Sequence, residues 1–95
     1  MATLIVTLSR INATRDYDPP VAQGSGCRTE TVAMPGTGAL TAAGEEIVEL
    51  LADADCWVAI GAAPDVDGVD VRKIKADIPY TFGIQSGEKV AVKAA

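Results

Sequence analysis

Glu45-Glu46-Ile47-Val48-Glu49-Leu50-Leu51-Ala52-Asp53-Ala54-Asp55-Cys56-Trp57-Val58-Ala59-Ile60 is the stretch on which the fold turns. Its first half is ambiguous. The acidic start and the apolar positions 47, 48, 50 and 51 fit an amphipathic helix, and local propensity favours one. Yet the run amounts to only about two helical turns, and Asp53-Ala54-Asp55 follows as a tight connection. The second half, Cys56 to Ile60, is a nearly continuous apolar run stopped by Gly61 and Pro64, which suits a central strand buried on both faces. Two strands linked as a hairpin are the favoured reading, with a helix the alternative for the first half.

Working outward, the neighbouring segments favour strands. Residues 2–8 are dense in β-branched side chains, which lose little when held in a pleated strand. From Ser9 to Cys27 the pattern gives way to Asn12, Asp16, Asp18, Pro19-Pro20 and Gly24-Ser25-Gly26, a loop composition that reads as an extended arm. Nineteen such residues are unusual in a compact domain unless they serve a function, and a partner surface would order them. Arg28 to Met34 alternates, with Glu30, Val32 and Met34 on one side, until Pro35-Gly36 stops it. Beyond the polar loop 65–70, residues 71–76 alternate around Ile74, leaving Arg72, Lys73 and Lys75 to water. Tyr80, Phe82 and Ile84 share a face at period two, and a Ser86-Gly87 turn leads into Val90 and Val92, a closing hairpin by this reading. The expected fold is therefore all-β: one domain over residues 1–95, a small antiparallel sandwich or barrel of about six or seven strands with a long N-terminal loop or arm at 9–27.

The chain has 95 residues, enough for one domain and far below the roughly 250 residues at which chains divide. Sixteen of its hydrophobic residues are Ala, so the core is thin, and oligomerisation would help it. Leu, Ile, Val and Phe still make up 23 positions, above the composition of disordered chains. A net charge of −5 without any His is the wrong electrostatic footprint for a nucleic-acid binder. No apolar window is long enough to cross a membrane as a helix, and the Leu4-Ile5-Val6 start lacks the basic flank of a signal peptide, so the chain reads as soluble and unexported. Protein partners are the expectation.

Charge is segregated along the chain. Residues 45–70 carry eight acidic and no basic groups, whereas residues 71–95 carry five basic and two acidic ones. Solvated charge on exposed strand faces is the first reading of such a split, and complementation within the sheet or pairing between subunits the alternative.

Candidate chemistry is sparse. Asp65, Asp67 and Asp70 offer hard oxygen ligands but lack the spacing and terminal Glu of a calcium loop. Without His, neither a Ser nor a Cys nucleophile has its usual base, and Glu45 and Glu46, adjacent on a strand, point to opposite faces. Zinc lacks ligands, and no cofactor is implied. Cys27 and Cys56 are read as thiols rather than a bridge, with burial expected to raise the pKa of Cys56. Trp57 is read as core or as a subunit contact. No enzyme is expected.

Two stretches carry a resemblance. Asp53-Ala54-Asp55-Cys56-Trp57-Val58-Ala59-Ile60-Gly61-Ala62-Ala63-Pro64 is similar to the "acidic turn, Cys, aromatic, Val-Ala-apolar-Gly, Pro" pattern of small tailed-bacteriophage virion proteins. The stretch from Ala76 to Val92, with Ile78-Pro79-Tyr80-Thr81-Phe82-Gly83 and Gly87-Glu88-Lys89-Val90-Ala91-Val92, resembles their ending. The resemblance covers about half the chain; the arm at 9–27 and the acidic loop 65–70 depart from it. It implies that residues 46–52 form a strand and that the chain is a non-enzymatic structural protein of the virion, assembled in the host cytoplasm. The type implied is a head decoration (cement) protein, trimeric, bound to the major capsid protein. Tyr17, Pro19 and Pro20 on the arm, Trp57, and Arg72, Lys73 and Lys75 are the candidate interface residues. Alternatives are a tail or neck adaptor and, from another class, a small carbohydrate- or calcium-binding β module. With only Tyr17, Trp57, Tyr80 and Phe82 as aromatics, a glycan platform is poorly supplied.

Overall fold

The computed structural model describes residues 2–12, 21–22 and 24–95. These form an all-β sandwich of two antiparallel sheets. Among the described residues there are nine strands: β1 (Thr3–Asn12), β2 (Val21–Ala22), β3 (Arg28–Ala33), β4 (Gly36–Thr37), β5 (Glu46–Ala52), β6 (Cys56–Gly61), β7 (Arg72–Ile74), β8 (Tyr80–Gly83) and β9 (Lys89–Ala94). Two of them are two-residue pairings, and the other seven fall within the expected range.

In the first sheet β1 is central. One of its edges pairs with β3 and, further along, with β2, while its other edge pairs with β5, which β8 follows. The second sheet runs β4-β9-β6-β7. The ambiguous stretch is thus a strand, because Ile47, Glu49 and Leu51 alternate with Glu46, Val48, Leu50 and Ala52, and only the second set is buried. Helical spacing would put 47, 48, 50 and 51 on one side; strand spacing divides them between a core face and an outer face.

Two connections differ from expectation. Strands β5 and β6 do not form a hairpin: β5 lies in the first sheet and β6 in the second, so residues 53–55 carry the chain across the sandwich. Nor do β8 and β9 pair, despite the Ser86-Gly87 turn, since β8 joins β5 and β9 joins β6 and β4. In each case both strands have inward apolar side chains and better partners elsewhere, and a short turn bridges sheets as readily as it reverses a strand. The first strand also continues past Leu8 to Asn12, where Ser9 and Arg10 pair with Ile47 and Glu46. A partner strand supplies those bonds, which local composition does not reveal.

The core fills the space between the sheets. Leu4, Val6 and Leu8 of β1, Val48 and Leu50 of β5, Cys56 and Val58 of β6, Ile74 of β7 and Val92 of β9 are all essentially inaccessible to solvent. Strand β6 is central, as its composition implied, and is covered on both sides. Cys56 and Val58 face the core, while Ala59 and its partner Ala91 are buried on the outer face, where loop 62–70 folds back.

One end of the sandwich is closed by a strap, residues 34–44, fastened by two inward-pointing carboxylates. Glu30 accepts the N–H groups of Ala39 and Leu40 at 2.9 and 3.0 Å. Glu46, only 5% exposed, accepts Arg28 Nη2 at 2.5 Å and the Ala43 N–H at 2.6 Å, and Arg28 Nη1 donates to the Thr41 carbonyl at 3.1 Å. Glycine is needed at Gly36, since a Cβ there would stand 2.6 Å from the Ala33 carbonyl oxygen, a backbone atom.

Candidate functional site

The expected interface residues divide into separate places. Tyr17, Pro19 and Pro20 lie outside the described residues. Arg72, Lys73 and Lys75 lie on and just after β7, an edge strand of the second sheet, but each is turned to a different task.

Arg72 pairs with Val58 and so sits on the core side of its sheet. Its guanidinium carbon is 5.2 Å from the centre of the Phe82 ring on β8, the edge of the other sheet. The Phe82 ring stacks in turn near Tyr80, with centroids 6.3 Å apart. This seam seals the side of the sandwich with an inward charge, a device that also discourages edge-to-edge pairing. Lys75 lies at the same seam: its ammonium is 3.6 Å from Asp55 Oδ2, and its N–H donates to the Tyr80 hydroxyl at 3.1 Å. Asp55 accepts the Ala76 N–H at 2.8 Å, which is the main reason its carboxyl stays below the ordinary value of 3.8, with the Lys75 charge adding to it.

Trp57 is not a core residue. It projects from the outer face of the second sheet, half-buried, between Lys93 on β9 and Lys73 on β7. The Lys73 ammonium lies 5.8 Å from the ring centre, a cation-π contact. Lys93 donates to Asp67 Oδ1 at 2.8 Å, tying the acidic loop down on this face. The segregated charges of the sequence therefore meet inside the chain at two points, Lys93 with Asp67 and Lys75 with Asp55.

The acidic loop is organised by its own backbone. Asp65 Oδ1 accepts the Asp67 N–H at 3.0 Å and its carbonyl accepts the Gly68 N–H at 3.1 Å. Among the described residues no three Asp, Glu or Cys side chains are grouped to hold a metal ion. A hollow of about 240 Å³ lies under the loop, lined by Ala59, Gly61, Pro64, Gly68 and Val69 together with Asp65 and Asp70. Val69 at its rim is fully exposed.

Both cysteines are free thiols. Cys27 is exposed. Cys56 is buried, and that burial, reinforced by Asp55 and Asp53, pushes its pKa above 9.0, as expected from its place in the apolar run.

A further surface was not marked by the sequence reading, namely the outer face of the first sheet. Ile5 and Leu51 face each other across β1 and β5 and are 39% and 38% exposed. Depressions of about 160 and 170 Å³ flank the pair, one reaching Asp53 and Asp77, the other Glu49 and Pro79. Ile78, between Asp77 and Pro79, is 48% exposed. The signal was present in the sequence: within Leu4-Ile5-Val6 and Leu50-Leu51-Ala52 every position is apolar, so a strand must turn one of them outward.

Compared with protein-family models, with curated proteins and with solved structures, the chain matches none.

Proposed function

We propose that this chain is a non-enzymatic structural protein of a tailed-phage virion, a head decoration protein that binds the assembled shell as a homotrimer and stabilises it. One observation carries the reading. The two stretches that resemble the phage proteins, residues 53–64 and 76–92, are separated by 11 residues in sequence and supply β6, β8 and the first four residues of β9; β6 and β9 pair directly, and the pairs from Val58–Val92 to Gly61–Lys89 fall within both stretches. Much of the resemblance thus falls on a directly paired couple of strands in the second sheet, with β8 across the sandwich in the first.

The physical logic is linkage. A protein that binds only the assembled shell stabilises it by mass action, with no chemistry required. A thin core gains when copies related by rotation bury apolar surface against one another. The partners are the major capsid protein and other copies of the chain, and no cofactor takes part.

The test is a count. Quantitative mass spectrometry of purified virions that encode this chain is expected to find it in numbers comparable to the capsid subunit. Complete absence overturns the proposal, and a few copies per particle overturn it in favour of a neck or tail adaptor. Light scattering of the isolated protein is expected to give three times 9.8 kDa; a stable monomer at high concentration removes the trimer.

A further inference from the structure

We propose that the outer face of the first sheet, centred on Ile5 and Leu51, is the surface that docks on the shell, and that it fits a protein surface with apolar side chains at its centre and Lys or Arg around them. This rests on the decoration reading above and names the side of the molecule that does the work.

Four large hydrophobic side chains are exposed among the described residues, and three of them, Ile5, Leu51 and Ile78, belong to this face or its rim. The two depressions beside the Ile5–Leu51 pair are open hollows into which partner side chains fit. Among the described residues the ionised side chains around them are all acidic: Glu49 on β5, Asp53 after it, and Asp77 beside Ile78. The other outward positions of the paired strands are neutral, five of them threonines (Thr3, Thr7, Thr29, Thr31 and Thr81), with no Lys or Arg. Asp53 keeps its charge, because its carboxylate accepts both the N–H and the hydroxyl of Thr3. An apolar centre inside an acidic rim selects a partner of the opposite sign, which sets orientation and speeds encounter.

The opposite face is already occupied by the chain itself, with loop 62–70 lying over Ala59 and Ala91, Lys93 held by Asp67 and Lys73 held over Trp57.

The experiment uses the full chain and assembled shells that lack it, with sedimentation as the readout. Wild-type protein is expected to co-sediment, and less so as salt rises. Leu51→Asp and Glu49→Lys are each expected to weaken binding by about tenfold or more. Ile5→Thr, which places on this face a residue it already carries in number, is expected to weaken binding while leaving the fold intact by circular dichroism. Lys73→Glu, on the opposite face, is expected to bind as wild type. If wild type binds and the three face variants bind equally well, or if only Lys73→Glu loses binding, the assignment of the face is overturned while the decoration reading stands. Wild-type protein that does not bind shells at any salt concentration overturns the decoration reading itself.

Discussion

Removing the Arg28 side chain strikes the one ion pair among the described residues in which a carboxylate is buried. Glu46 has a side chain only 3% exposed and two partners, Arg28 Nη2 and the Ala43 N–H. In Arg28→Ala the carboxylate keeps a single hydrogen bond in a site with little water, and the Thr41 carbonyl loses its donor. Breaking a fully buried pair costs about 3–5 kcal/mol. Arg28 is 41% exposed, so solvent screens part of the interaction, and the expected loss is nearer 1–3 kcal/mol. For a domain of this size each kcal/mol lowers Tm by about 4–8 °C, so a drop of roughly 4 to 24 °C is expected. Glu46→Gln leaves an oxygen for Ala43 and no buried charge, since the Arg28 cation that loses its partner is part-exposed and keeps the Thr41 carbonyl, and is expected to cost about 1 kcal/mol. Chemical denaturation of the two single variants and the double variant measures the coupling. If Arg28→Ala lies within about 0.5 kcal/mol of wild type, or costs less than Glu46→Gln, the strap is not fastened by this pair and the reasoning fails.

Three further outcomes follow from the same geometry. A thiol reagent at mildly alkaline pH is expected to label Cys27 at once and Cys56 only after denaturant is added, because Cys56 is buried with a raised pKa; rapid labelling of two thiols in native protein contradicts the core assignment. Gly36→Ala is expected to destabilise by about 1–3 kcal/mol, since its Cβ would stand 2.6 Å from a backbone oxygen that belongs to β3; an unchanged denaturation midpoint shows that the strap moves freely. Asp53 and Asp55 both have pKa values lowered from 3.8 by hydrogen bonds the fold provides. A lowered folded pKa contributes stability that is present above the unfolded value and lost as pH falls through the folded one, so the urea midpoint is expected to decline as pH drops below about 4. The decline is expected to be shallower in Asp53→Asn/Asp55→Asn; equal slopes refute the contribution.

Strand character was largely legible because it rests on local period. Ile74, flanked by charged residues, and Val90 and Val92, set between lysines, announce which side is inward, and all three are buried. The 45–52 stretch shows where local reading stops. Its apolar positions satisfy a helix and a strand equally, and what decides is that β1 and β8 lie on either side to receive its backbone groups. The two connections read as hairpins fail for a related reason. Asp53-Ala54-Asp55 is a turn by composition in either case, but whether it reverses a strand or changes sheet depends on which partners the flanking strands find. Here Asp53 is bonded to Thr3 at one sheet and Asp55 to Ala76 beside the other, so the turn is anchored at both ends of the crossing.

Surface residues are harder, since exposure is a property of what does not cover them. Arg72, Lys73 and Lys75 look alike in the sequence as three cations at one edge. The fold gives Arg72 to Phe82, Lys73 to Trp57 and Lys75 to Asp55, so each is engaged before any partner arrives. Ile5 and Leu51 look like core in a list of apolar residues, yet their strand phase turns them outward, facing each other with nothing among the described residues to bury them. Charge is the usual marker of an interface, but in this chain the basic segment is partly neutralised by its own acidic neighbours. Among the described residues the Ile5–Leu51 pair is left outward, with acidic groups beside it. The side of the molecule available for recognition is therefore set less by where charge occurs than by where folding leaves it, and apolar surface, unanswered.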